Sequence, residues 1–600
     1  MKPEVLGKAG SFKIPTREDD AALNEVLGEL EKLQSDEQAF CAQADVQALK
    51  FRYKGETARS IAVYQYALRS YPDHSGILTN FSGVLLSLGL RDEALPILLK
   101  VVDQDPDYLG AWDNLAEAAY RYGRLDEAEM FARHALEIDP GDYIAWNHLA
   151  GVYKDRGRLL EAVNYFQKGI LASPANSMIY SNLVFTSIYC GQGWMPDYTA
   201  ETARNFDRVH ARRYWRDDWG HENTPDPDRP LRIGFVSPDL RRHAVAYFVE
   251  PLWQNLDRKQ FHLVAYYNQA TRDQVTDRME ALADEWRPVI GLNDDQLAEQ
   301  IRKDRIDILV DLAGHTAGNR LLAFARKPAP VQLTWLGYPS TTGLRAMDWL
   351  LTDASLDPPG MTEHLLVEKP WRMKDVFCVY RPHDGSPEPI GRLPADDNGY
   401  ITFGCFNNFA KVTPQVIALW CQILLQVPTA RLLLEANALE DPSFAADVRG
   451  RFAVGGVDPA RLELLGRRPE HQYHLYNRID IALDPFPCNG GTTTFDTLWM
   501  GVPLVSLEGG HMMARMGGDL LRHAGLGELA VNSEEAYAET AIQLANDLPR
   551  LRSMRDGLRD RVRQSPLMDA PLFARNFEAA MRGMWQEWCQ RQKDKPPVTS

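Results

Sequence analysis

The run Pro487-Cys488-Asn489-Gly490-Gly491-Thr492-Thr493-Thr494-Phe495-Asp496 holds the residue types best suited to chemistry in this chain. An apolar, strand-like segment, Ile479-Asp480-Ile481-Ala482-Leu483, leads into it, and a helix-like segment, Thr497-Leu498-Trp499-Met500, follows. Gly490 and Gly491 let a ligand approach the backbone, and Thr492, Thr493 and Thr494 add hydroxyl donors. A helix beginning here offers free N–H groups and the positive end of its dipole to a phosphate. Asp496, one turn in, is placed to hold a ribose hydroxyl. Together these residues describe a socket for a nucleotide diphosphate. The plainer alternative is a helix cap and turn, because Asn, Gly and Thr are ordinary capping residues.

Two α/β series must position this socket. The first runs through strand-like segments at 231–236, 262–267, 306–312 and 331–336, and the second through 401–405, 431–435, 462–465, 479–483 and 504–507. Strands alternating with helices imply parallel sheets, whose ligands sit beyond the carboxyl ends of the strands. The loops at those ends are polar: Ser237 to His243, Ala313-Gly314-His315-Thr316, Gly337 to Gly343, and Phe406-Asn407-Asn408-Phe409-Ala410-Lys411. This is the layout of a cleft enzyme. Lys411, at the end of the last of these loops, is expected to face the socket across the gap between the two halves.

In front of these halves the chain repeats. Gly55, Gly89, Gly123 and Gly157 are 34 residues apart, as are Pro72, Pro106, Pro140 and Pro174; Ala94, Ala128, Ala162 and the pair Trp112, Trp146 keep the same period. A 34-residue period with W-x-x-L, a central Gly, a later Ala and a closing Pro resembles the tetratricopeptide repeat, helix pairs stacked around a concave groove. Asn80, Asn114 and Asn182 share one register with His148, and an amide side chain can both donate to and accept from a passing peptide. The expected domains are a lead-in (1–44) with one amphipathic helix at 21–33, repeats (45–200), a connector (201–229), and two Rossmann-like domains (230–395 and 396–592).

With 600 residues, 45% apolar and 25% charged, the chain has the composition of a soluble multidomain protein. Its net charge of −16 argues against a broad nucleic-acid or anionic-membrane surface. No apolar run approaches membrane-spanning length, and no secretory signal is expected from Met1-Lys2-Pro3-Glu4. The seven cysteines are scattered and form no C-x-x-C pair, which suits a reducing cytoplasm and gives no zinc motif. The D-x-D matches, Asp103/Asp105, Asp105/Asp107 and Asp226/Asp228, fall in repeat turns and the connector and read as solvated turn residues. No metal or other cofactor is expected.

The ordered motifs S-P-D-x-x-x-H, D-x-x-G-H-T, P-A-P-V-Q-x-T-W-L-G-Y-P-x-T-T-G, F-N-N-x-x-K and C-N-G-G-T-T-T-x-D-x-L-W-M-G-V-P resemble the protein O-GlcNAc transferase and Spindly group, glycosyltransferase family 41. The resemblance runs from about residue 45 to 592. It implies a helical repeat superhelix followed by a GT-B fold, two Rossmann-like domains facing a cleft. The implied activity is inverting, metal-independent transfer of a sugar, GlcNAc from UDP-GlcNAc by preference, to Ser or Thr of proteins recruited by the repeat groove. Lys411 and His243 are then the catalytic residues, His243 as base or as a positioning group. Asn407, Asn408, Gly490, Gly491, Thr492, Thr493, Thr494, Asp496 and His315 belong to the donor site, with His471 and His474 as weaker candidates for recognising the base. Asn80, Asn114 and Asn182 line the acceptor groove.

Gly491 stands where animal O-GlcNAc transferases carry His, and Thr494 where they carry Gly. These positions, together with Phe406-Asn407-Asn408 and Gly525-Leu526-Gly527, lean toward the Spindly branch, some of which transfers fucose from GDP-fucose. Asp496 leans back toward GlcNAc transfer. Other expectations left open are a bacterial flagellin glycosyltransferase using another nucleotide sugar, a glycan- or lipid-directed transferase, and a non-catalytic repeat scaffold.

Overall fold

The computed structural model describes residues 14–190, 196–216, 219–389, 391–468 and 473–594. The chain divides into two compact units. The first holds the described residues up to Val152, with Leu171–Ser173 and Gln269–Thr271; the second holds Tyr153–Ile170, Pro174–Asn268 and the residues from Arg272 onward.

The first unit consists of antiparallel helix pairs, among them Ser75–Ser87 with Arg91–Gln104 and Leu109–Arg121 with Leu125–Ile138. The 34-residue registers each have a physical cause. Gly55, Gly89 and Gly123 adopt φ of 77°, 77° and 72°, a left-handed turn that ends the first helix of a pair. Ala94 and Ala128 are fully buried where the paired helices touch. The Trp and Pro registers are one contact: Trp112 Nε1 donates to Pro106 O at 2.8 Å and Trp146 Nε1 to Pro140 O at 3.0 Å. The helix Glu37–Tyr53 runs through residue 45, so the lead-in is continuous with the repeats rather than separate from them.

The first part of the stretch expected to be a connector, up to Tyr214, is also structured. Pro196–Phe206 is helical, Asp207–Ala211 continues it as a π turn, and Arg212–Tyr214 closes it as a 3₁₀ turn. Its buried stripe, Thr199, Ala200, Thr202, Ala203 and Phe206, explains why a charged segment folds.

Among the described residues the second unit contains two parallel sheets. The first comprises β1 (Leu231–Ser237), β2 (Phe261–Tyr267), β3 (Glu285–Pro288), β4 (Ile308–Asp311), β5 (Val331–Thr334), β6 (Trp349–Asp353) and β7 (Lys369–Met373) in the order β3-β2-β1-β4-β5-β6-β7. The second comprises β8 (Thr402–Cys405), β9 (Arg431–Glu435), β10 (Leu462–Leu465), β11 (Ile481–Leu483), β12 (Leu504–Leu507) and β13 (Ala530–Val531) in the order β10-β9-β8-β11-β12-β13. β1, β4 and β8 are buried almost throughout, as apolar strands covered by helices on both faces must be.

The C-terminal helix, Ala570–Lys593, departs from the expected division at residue 396. It returns to the first sheet, where Phe577 stacks on Phe235 at 6.3 Å and Phe573 on Trp335 at 5.9 Å. The fold is a repeat array followed by a GT-B-like pair of Rossmann sheets, with the last helix tying the second half to the first.

Candidate active site

β11 ends at Leu483, and from Asp484 the chain turns through Asn489, Gly490 and Gly491 into the helix Thr492–Trp499. Asp484 organises this turn. Its Oδ1 accepts the Gly490 N–H at 2.8 Å and its Oδ2 accepts the Ser506 hydroxyl at 2.7 Å. Full burial pushes this carboxyl up to about 7. Asn489 is stitched in place as well: its N–H donates to Met513 O at 2.9 Å and its Nδ2 to Pro485 O at 3.1 Å. No side chain caps the helix, and among the described residues the amides of Gly491, Thr492 and Thr493 have no acceptor. Thr494 Oγ1 is buried and has no partner among them either. A Cβ at Gly490 would lie 2.5 Å from that hydroxyl and 3.1 Å from Asn407 Oδ1, so only glycine fits there. Thr492 and Thr493 are partly exposed at the mouth.

Lys411 closes the 3₁₀ turn Phe409–Lys411 after β8, and its Nζ donates to Asn489 O at 2.6 Å. Because β8 and β11 are adjacent strands of one sheet, the ammonium and the threonine-rich turn lie side by side. This corrects the expectation that they face each other across the interdomain gap. Asn407 is buried against Gly490, with its Nδ2 3.7 Å from Cys405 Sγ. Asn408 is exposed and caps the Phe409–Lys411 turn, accepting the Ala410 N–H at 3.0 Å. Cys488 is buried, which pushes its thiol up to about 11 and makes it a packing residue rather than a reactive one.

Asp496 Oδ1 accepts hydroxyls from Tyr380 and, at 3.0 Å, from Tyr473. Burial pushes this carboxyl up to about 6, against the lowering effect of both tyrosines. Tyr380 belongs to the segment after β7, so the first half of the fold reaches the socket here. The helix Ala244–Asn255 joins it: Phe248 packs on Phe495 at 5.2 Å and on Tyr380 at 5.6 Å. His243 is the N-cap of that helix. Its Nδ1 accepts the Val245 N–H at 3.3 Å and lies 3.7 Å from Asp239 Oδ1. Burial lowers its pKa although Asp239 opposes this. With Nδ1 engaged as an acceptor, the neutral ring carries its hydrogen on Nε2, which suits the positioning role expected of His243 better than that of a base.

The structure removes His315 from the donor site. Its ring is fully buried, with Nδ1 3.1 Å from Ser181 Oγ and Nε2 2.9 Å from Thr342 O, and Phe206 and Tyr338 pack against it edge-on. Asp311 causes this by accepting the N–H groups of Ala313 and Gly314, which folds the strand-end loop inward. Desolvation pushes His315 down to about 4, so it is a neutral packing residue. The Gly337–Gly343 loop is similarly committed: Thr341 and Thr342 donate to buried Glu368, and a Cβ at Gly343 would lie 2.1 Å from Ala203 O.

In the repeats, Asn80 is exposed and pairs with Asp45, while Asn114 Nδ2 donates to Thr79 O at 3.1 Å. Each reaches back one repeat and stitches neighbouring pairs together. Asn182 is half-buried, has a partner of its own, and belongs to the second unit. His474 is exposed, and His471 lies outside the described residues.

Asp484, Tyr380 and Tyr473 escaped the sequence reading. Asp484 carried a usable signal, an acid at a strand's carboxyl end facing a glycine turn. The two tyrosines carried none, because only tertiary packing brings them to Asp496.

The fold and site together define a nucleotide-sugar-transferase architecture, and comparison with known proteins agrees. The glycosyl transferase family 41 profile matches residues 206–382 and 391–577, and tetratricopeptide repeat profiles match 109–152 and 143–176. The chain belongs to glycosyl transferase family 41 and carries tetratricopeptide repeats. It is similar to the probable UDP-N-acetylglucosamine--peptide N-acetylglucosaminyltransferase SPINDLY of Arabidopsis thaliana, 39% identical over 62% of this chain and 41% of that one. It is also similar to the corresponding SEC protein of the same plant, 31% identical over 60% and 38%. The solved structure of a mutant Thermobaculum terrenum O-GlcNAc transferase superposes with a TM-score of 0.82 at 35% identity, covering 86% of this chain and 98% of that one. The chain thus spans about 41% of the length of the SPINDLY relative.

Proposed function

We propose that this chain is an inverting protein O-glycosyltransferase. It moves a sugar from a nucleotide diphosphate, UDP-GlcNAc before others, to Ser or Thr hydroxyls of acceptor proteins held by the repeats. The observation carrying this reading is Lys411 Nζ, 2.6 Å from Asn489 O at the entry to a helix whose first amides lack acceptors. A diphosphate in that turn takes hydrogen bonds from the amides of Gly491 to Thr493 and from the Thr494 hydroxyl, and faces the ammonium. As the bond between the anomeric carbon and the phosphate oxygen breaks, negative charge grows on that oxygen. Lys411 stabilises it more in the transition state than in the ground state. The acceptor hydroxyl attacks the opposite face of the anomeric carbon, inverting it, and gives up its proton to a phosphate oxygen of the donor. Asp496 holds the ribose, and Asn407 and Asn408 border the diphosphate. Ammonium and helix amides together supply the charge a divalent ion would otherwise supply, so transfer needs no metal.

Among the described residues no helix is long and apolar enough to cross a membrane. The seven cysteines are all free and buried, which suits the cytoplasm we assign.

One observation favours a second reading. The SPINDLY relatives are 38–40% identical to this chain and SEC 31%, and Gly491 and Thr494 lean the same way, so GDP-fucose is the alternative donor. Incubation of the full chain with acceptor protein and UDP-GlcNAc, GDP-fucose or a CMP-activated sugar separates these readings. Release of UDP with a GlcNAc mass gain on the acceptor is expected. GDP release alone would establish the fucosyl reading, and no release from any donor would leave only a repeat scaffold.

A further inference from the structure

The helix Met516–His523 lies against the base of the socket, with Gly517 so close to Asp484 and Ser506 that a Cβ would lie 2.2 Å from each. Two residues further on, the same helix buries a carboxylate that accepts no hydrogen bond among the described residues. Asp519 is fully buried, and neither of its oxygens has a hydrogen-bond partner among the described residues. Asp353, the last residue of β6 in the other sheet, faces it and is also fully buried. Its Oδ1 accepts the N–H groups of Ser355 and Leu356 and its Oδ2 that of Phe377, each at 2.8 Å. Both lone pairs of Oδ1 are thus engaged, and Oδ2 keeps one for a further partner. One turn beyond Asp519, His523 brings Nε2 to 3.3 Å from Asp519 Oδ1, yet outside hydrogen-bonding geometry. One ligand atom from each of the three lies within 4.8 Å of the others.

Nearby guanidinium groups do not compensate the two carboxylates. Arg522 donates to Ser355 and Glu508, and Arg515 to Ser355 O. A buried carboxylate without a partner is strongly unfavourable, so a positive charge belongs here. We propose that Asp353, Asp519 and His523 bind one divalent first-row cation, Zn²⁺ fitting best, which pins the end of β6 to the helix after β12 and so ties the two sheets together. Two carboxylate oxygens and one imidazole nitrogen suit Zn²⁺, whereas Mg²⁺ and Ca²⁺ favour all-oxygen sites. Metal–ligand bonds of about 2 Å hold ligand atoms about 3.3 Å apart, so small side-chain rotations close the site. The role is structural. Lys411 is not part of it, and metal-independent sugar transfer is unaffected by it.

The test uses the full chain, loaded with ZnCl₂, dialysed, and assayed for bound zinc by mass spectrometry and for melting temperature. One equivalent of retained Zn²⁺ and a higher melting temperature are expected. Asp519→Asn and His523→Gln should each weaken binding by more than about 100-fold, since even outer-shell changes cost 10–100-fold. Should either variant not fold, the visible spectrum of Co²⁺ bound to the unaltered chain decides, with intense low-coordinate bands expected. Absence of retained zinc, a Co²⁺ spectrum of the hydrated ion, or variants that hold zinc as tightly as the parent would overturn the proposal. The first two results would leave an imidazolium at His523 as the counter-charge.

Discussion

Asp496 sits where burial opposes its charge, and if it holds the ribose as proposed, donor binding is expected to depend on pH. Its carboxyl is pushed up to about 6, so a group that is ionised at neutral pH protonates as the medium becomes mildly acidic. The protonated form loses an acceptor for the ribose. Affinity for UDP-GlcNAc, whose doubly esterified diphosphate does not titrate in this range, is expected to fall as pH drops through about 6. Calorimetry of the parent and Asp496→Asn checks this: the variant should bind more weakly and lose that pH step. A step that persists in Asp496→Asn would assign it to another group, such as Asp484. His315 carries a different expectation. Replacing it by Ala leaves Thr342 O unpaired and Ser181 Oγ with only a long hydrogen bond from Asn319, at 3.5 Å, and should destabilise the fold by about 2 kcal/mol. A lowered melting temperature with an unchanged KM for the donor is the expected signature; a raised KM without thermal loss would return His315 to the donor site. The contrast shows what the sequence could and could not convey at this scale. Lys411 and the Gly490–Thr494 turn were legible because each directly follows a clearly apolar strand. His315 follows one as well, but the inward fold imposed by Asp311 reverses which way it faces, and no pattern in the chain announces that.

At the scale of elements, the repeat period was readable because each register corresponds to one contact made again in every pair. The same registers allow a graded test. Gly89 needs its positive φ but has open space around it, so Gly89→Ala is expected to cost about 1–2 kcal/mol through backbone strain alone. Gly157 has φ of 71° and also lies where a Cβ would come 3.0 Å from Val412 O, so Gly157→Ala should lower the melting temperature further than Gly89→Ala. Equal losses would indicate that the Val412 contact is unimportant. The strands that went unread have a shared cause. β3 (Glu285-Trp286-Arg287-Pro288) and β7 (Lys369-Pro370-Trp371-Arg372-Met373) are edge strands, charged, proline-bearing and half-exposed, and β13 is two residues long. β6 is the exception, an apolar internal strand no shorter than strands legible elsewhere in the chain. The helix at 196–206 was hidden by its charged face, its buried stripe being small residues rather than large ones.

At the scale of the whole molecule, the two sheets meet at the donor socket through Tyr380, Phe248 and Phe495, while the last helix returns from the second half to the first. The socket's phosphate-facing parts, Lys411 and the Gly490–Thr494 turn, come from adjacent strands of one sheet. The other sheet supplies the aromatic wall and the His243 cap. On the proposed reading the second half grips the diphosphate, and a change at Lys411 is expected to impair bond cleavage while leaving much of donor binding intact. The most direct measurement is single-turnover release of UDP from UDP-GlcNAc in the presence of acceptor protein, comparing the parent with Lys411→Ala at saturating donor. A drop of about 10²–10³-fold in the rate, with donor affinity changed far less, is the expected result. Undiminished release from Lys411→Ala would contradict the central claim that this ammonium carries the charge of the departing diphosphate.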